Sequence, residues 1–74
     1  MFTEEIAVEL ERISLLDDMF QQGYQAAPLL CQVNEISPAR LVSVILEHPS
    51  ECYDSQQRDA GVLQWCKEQL EKAL

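Results

Sequence analysis

Two prolines bracket one short apolar run. In the stretch NEISPARLVSVILEHP, residues 34–49, Ser37 and Pro38 stand before the run and Pro49 behind it. A serine hydroxyl accepts from a free N–H of a first helical turn, and proline loses no hydrogen bond at the first helical position. Pro49 stops the helix, because its ring disfavours helical backbone in the residue before it. The pattern predicts a helix over 38–47 with Leu41, Val44 and Ile45 inward. Nowhere on either side does the alternation of a strand appear, so the neighbours must also be helices.

Thr3 suits a helix N-cap, Glu4 and Glu5 favour the positive end of the dipole, and Gly23 is a stop signal, which predicts a first helix over 4–22. Phe2, Ile6, Leu10, Ile13, Leu16 and Phe20 make its core stripe. Pro28 suits the first turn of a short helix over 27–34, with Leu29, Leu30 and Val33 inward and a left-handed Asn34 at its end. A last helix starts near Asp54 or Ser55, where Asp54 and Gln57 have capping-box spacing, and runs to the C-terminus. Leu63, Cys66, Leu70 and Leu74 form its stripe, widened by Val62 and Trp65, while Glu68 and Lys72 make an i,i+4 pair. Gly61 costs about 1 kcal/mol inside a helix, which implies a close backbone neighbour there or a frayed first turn. No repeat or long linker divides the chain. The expectation is one all-α domain over 1–74, a small four-helix domain of orthogonal or irregular bundle type with a helix-turn-helix-like pair in the middle.

With 74 residues the chain lies near the size at which one apolar core suffices, so self-association, as a dimer first, is expected. Its net charge is −8, and residues 1–37 hold seven acids and a single base, Arg12. Such a surface is drawn to basic or mixed protein surfaces and repelled by phosphate backbones and anionic lipid. Three cysteines, Cys31, Cys52 and Cys66, include no CxxC pair, and the N-terminus lacks a basic, long apolar leader. A reducing cytoplasm is therefore expected, with no membrane partner, since no stretch approaches the roughly 20 apolar residues of a span.

Two irregularities mark the first helix. Asp17 falls within the apolar stripe, where a carboxylate needs a partner, Arg40, Arg58 or the free N–H groups opening another helix, unless it lies on an exposed rim or serves as a functional acid. Val8, Leu15 and Met19 form a second apolar row opposite the first, beside Glu4, Glu11, Arg12, Asp18 and Gln22. Either the helix is packed from both sides, or the row is a contact for a second subunit or a protein partner. On the latter reading the partner-binding residues are Val8, Glu11, Arg12, Leu15, Asp18 and Met19.

ISPARLVSVIL resembles the turn and recognition helix of helix-turn-helix proteins. Ile36, Ser37, Leu41 and Ile45 match that family's turn, cap and anchoring positions, Cys31 matches its small residue on the preceding helix, and Asn34-Glu35 replaces its usual turn glycine. The resemblance implies a dimeric DNA-binding regulator reading a groove with Ser37, Ala39, Arg40 and Ser43. Against it, the face would carry a single cation, Arg40, with Glu35 and Glu47 repelling phosphates. His48 and Cys52 have chelating spacing, but Pro49 lies between them and a third ligand must come from Cys31 or Cys66. Nothing orients the histidine as a base for a thiol. Acyl carrier proteins are also short, acidic and helical, yet Asp54-Ser55-Gln56 lacks the leucine of their attachment motif and precedes the last helix. The reading is a non-enzymatic, acidic protein-interaction module without metal or cofactor: a regulator, adaptor or inhibitor, with basic nucleic-acid-binding proteins among its candidate partners.

Overall fold

A computed structural model describes residues 4–74; Phe2 and Thr3, assigned above to the core stripe and the first cap, lie outside the described residues. The fold is all-α, with four helices among the described residues: α1 Glu4–Ser14, α2 Met19–Asn34, α3 Pro38–Glu47 and α4 Tyr53–Lys72. α2 and α4 form the most extensive pair, α3 packs on α4, and α1 packs on α2.

The first two helices are divided differently from the expectation. A helix over 4–22 does not form; the chain breaks at Leu15–Asp18, and what was expected as a separate helix over 27–34 is the second half of α2. Asp18 causes the break. Its backbone is extended and its carboxylate accepts from the Gln21 N–H at 3.2 Å, satisfying one of the free donors that open α2. From the other side of the turn, Gln22 Nε2 donates to the carbonyls of Leu16 and Ser14, closing the end of α1. Asp18→Ala is expected to lower stability by about 1 kcal/mol, measured by urea unfolding, because it removes the side-chain acceptor that caps α2 at the corner. Asp17 is exposed in the turn, so the rim solution holds rather than a buried ion pair.

Gly23 is not a stop. It lies buried inside α2, and a methyl there would sit 2.6 Å from the Arg58 carbonyl carbon of α4. Gly61 of α4 reciprocates, since its methyl would sit 2.7 Å from the Tyr24 nitrogen and closer still to the Phe20 carbonyl oxygen. The close neighbour expected at Gly61 is therefore α2 itself. Tyr24 adds a polar tie across the pair by donating its hydroxyl to Glu68, which also accepts from Gln64. Glu68 thus ties α4 to α2, while Lys72, one turn further along α4, still favours the charged carboxylate as the expected i,i+4 spacing implies.

α2 continues through Pro28, which lies inside the helix with its ring exposed rather than at a helix start. The left-handed residue at its end is Glu35, at φ 54° and ψ 46°, and Asn34 remains helical. Ile36 N–H donates to Cys31 and Glu35 N–H to Gln32, the Schellman pattern, and Ile36 and Cys31 both pack against the core. α3 begins as expected: Ser37 Oγ accepts from Arg40 N–H and Pro38 opens the helix. The Asp54–Gln57 box does not cap α4, which starts one residue earlier with Cys52 at the cap and no side-chain bond.

The centre of the core is Ala27, Leu41, Val62 and Cys66, with Leu30, Cys31, Ile36, Val42, Ile45 and Trp65 around it. Ile6 and Ile13 bury α1. Leu70 and Leu74, expected on the core stripe of α4, are instead exposed. The stripe continues past the point where there is a core to receive it.

Candidate functional site

The residues assigned to partner binding divide with the helix. Val8 lies on α1, Leu15 seven residues on, just past its end, and Met19 opens α2 and is half-buried. Leu15 N–H still donates to the Arg12 carbonyl, so Leu15 closes a tightened last turn of α1, seven residues after Val8. Val8 is 60% exposed and Leu15 77%; neither is packed from a second side. The three residues thus do not share one helix: Val8 and Leu15 are exposed on α1 and just past its end, and Met19 lies beyond the turn on α2.

Around the pair the charge is almost entirely negative. Glu4, Glu5, Glu11, Asp17 and Asp18 are exposed, and Asp18 is engaged as the α2 cap. Arg12, the lone base of this half, is occupied: it pairs with Glu9 and donates to Gln25 Oε1 at 3.0 Å. The hydrogen bond from Arg12 holds the Glu9 carboxyl below its ordinary range. An exposed pair of this kind contributes little stability, but it leaves the neighbouring carboxylates without a competing cation.

The alternative groove-facing set lies at the other end of the fold. α2 and α3 meet at 104° across a three-residue turn, the geometry of a helix-turn-helix pair. Ala39 and Arg40 are exposed. Ser37 Oγ is used as the cap, and Ser43 Oγ donates to the Ala39 carbonyl, so both hydroxyls are turned to their own backbone. Arg40 is the only cation on α3.

The residues that carry reactive chemistry are dispersed. His48 ends α3, exposed; Cys52 is exposed at the start of α4; Cys31 is half-buried and Cys66 fully buried. Burial, with a smaller contribution from Cys31, pushes the Cys66 thiol up to about 11. Among the described residues no three of His, Cys, Asp and Glu converge on a metal position.

The tie between Tyr24 and Glu68 gives the fold a pH signature. The Tyr24 hydrogen bond, helped by Gln64, depresses the Glu68 carboxyl, and the same bond raises the Tyr24 phenol. A carboxyl depressed on folding contributes stability that is present above its unfolded value and lost as pH falls through its folded one. Tyr24→Phe is expected to move the Glu68 titration upward, followed by NMR of its side-chain carboxyl, and to flatten the acid limb of stability.

Sequence reasoning missed one surface. Val42 and Leu46 of α3 and Leu63, Leu70 and Leu74 on the α4 side line an open groove of about 640 Å³. The signal was an apolar stripe on α4 that runs on to Leu74, farther than so small a core requires.

The class these features define is a small all-α domain, with four helices among the described residues and none of them long and apolar enough by itself to cross a membrane. Compared with known protein families, with curated proteins and with solved structures, the chain matches none.

Proposed function

We propose that the chain is a non-catalytic protein-interaction module, a small cytoplasmic regulator, adaptor or inhibitor whose acidic first half receives a protein partner with a basic or mixed surface. The observation that carries this reading is the exposure of Val8 and Leu15 amid carboxylates whose one local cation is already paired. Exposed aliphatics ringed by like charges have the composition of a contact patch: apolar area for affinity, charge for steering and choice of partner. Basic nucleic-acid-binding proteins are one class that such a surface fits. Self-association as a dimer accompanies the reading, because the core formed by the described residues is thin for an independent domain.

Leu15→Glu tests it. Leu15 is outside the core, so the variant should keep the helical circular dichroism of the wild type. Its binding to a partner recovered from the native host and then purified should weaken at least about tenfold by calorimetry, equivalent to about 1.4 kcal/mol. Wild-type binding by both Leu15→Glu and Val8→Glu would remove the patch as the contact.

The second reading, a dimeric helix-turn-helix regulator of transcription, is favoured by the 104° meeting of α2 and α3. It requires Ser37, Ala39, Arg40 and Ser43 at a groove and several neutralised phosphates, whereas α3 supplies one guanidinium. Retention on heparin at low salt, abolished by Arg40→Ala, would favour this reading over the first; flow-through would exclude it.

A further inference from the structure

The α3/α4 groove differs in kind from the acidic patch. Its walls are aliphatic, and Leu46 at 66% and Leu70 at 41% exposure stand open to solvent. Its rim carries Lys67 and Glu71, one helical turn apart on α4 and both exposed. Neither makes an ion pair among the described residues. The charges of this helix end, Lys67, Glu68, Glu71 and Lys72, balance, whereas the first half of the chain is strongly negative. A balanced rim does not select a basic partner. It does complement its own copy: across a two-fold axis every contact occurs twice, so residue i meets j′ and j meets i′.

We infer that the groove is the interface of a homodimer in which two α4 helices lie antiparallel, with Lys67 of each chain facing Glu71 of the other. Centring the axis between these residues brings Leu70 close to it. Leu74 of one chain then reaches toward the Leu46 and Leu63 end of its partner's groove. The distance from Leu63 to Leu74 along the helix is about 16 Å at about 1.5 Å per residue, so the apolar contact runs the length of about three turns. The thin core supplies the driving force. Among the described residues only Ile6, Ile13, Ala27, Leu41, Val62 and Cys66 are buried apolar side chains, and covering Leu46, Leu63, Leu70 and Leu74 adds a second apolar centre to each subunit. The inference deepens the self-association in the reading above and uses none of the residues of its acidic patch.

Sedimentation equilibrium of the whole chain tests it. The wild type should reach twice the 8.5 kDa chain mass in the micromolar range. Leu46→Glu, at an exposed position, should keep its helical circular dichroism and return the mass to that of one chain. Lys67→Glu should weaken the dimer at least about tenfold by setting like charges opposite each other, and the double variant Lys67→Glu, Glu71→Lys should recover most of the loss. A wild type that stays monomeric at about 1 mM, a dimer indifferent to Leu46→Glu, or a double variant as weak as the single one would each overturn the proposal. Leu15→Glu should leave this mass unchanged, so failure of the acidic patch and failure of the groove are read from different variants.

Discussion

Gly61→Ala is expected to destabilise the domain by about 3 kcal/mol or more, although alanine is the better helix former by about 1 kcal/mol. The added methyl would enter the space held by the Phe20 carbonyl and the Tyr24 nitrogen, and backbone cannot rotate aside as a side-chain end can. α2 and α4 must separate, and with them goes the packing of Ala27 against Val62 and Cys66. Gly23→Ala should act similarly through Arg58, and the double variant should cost less than the sum, because helices already parted accommodate the second methyl. Urea denaturation followed by far-ultraviolet circular dichroism measures both. A stabilised Gly61→Ala variant would show that propensity outweighs proximity and that the two backbones do not touch.

Leu41→Ala should cost about 3 kcal/mol, within the range for truncating a buried leucine. For a chain of this length that corresponds to a fall in Tm of roughly 15 °C. Leu41 is the one buried residue of α3, inserted into the Ala27, Val62 and Cys66 centre. Leu46→Ala on the same helix supplies the comparison: it begins exposed and should change monomer stability by less than about 0.5 kcal/mol. A small loss at Leu41 equal to that at Leu46 would mean that α3 is not anchored through this side chain.

Much of the architecture was legible where two independent signals coincided. α3 carried both a serine cap and prolines at its two ends, and it begins and ends where those residues place it. The first half misled because apolar periodicity continues through a break. Ile13, Leu16 and Phe20 keep helical spacing and all turn at least partly inward, yet the chain bends between them. The contrary signal was local: Asp18 followed three residues later by Gln21 has the spacing of a capping box, and a short acidic side chain that can bond to its own backbone competes with a continuous helix. Gly23 was ambiguous because a glycine can either end a helix or let another approach it, and only the partner backbone decides. Glu35 shows the reverse case, a left-handed position held by a residue with no intrinsic liking for it, imposed by the packing of Ile36 and Cys31.

Of the candidate patch, Val8 and Leu15 could be named from spacing, because two aliphatics at helical repeat on the side away from the core stripe have no interior to enter once that stripe is buried. Met19 could not be separated from them without knowing where α1 stops. The α3/α4 groove was invisible for a different reason. Periodicity reports which face of α4 is apolar but not how far along the helix the rest of the molecule covers it.

The slender attachment of α1 has a dynamic consequence. It packs on α2 and buries Ile6 and Ile13, beyond a corner fastened by Asp18 and Gln22, while α2, α3 and α4 share their own centre. Amide hydrogen exchange should therefore resolve two subglobal tiers, with the protons of Glu4–Ser14 surrendered to solvent long before those around Val62. A ligand gripping Val8 and Leu15 would draw its affinity partly from suppressing that opening, so occupancy at one end of the molecule would register as slowed exchange along a helix whose inner side it never touches.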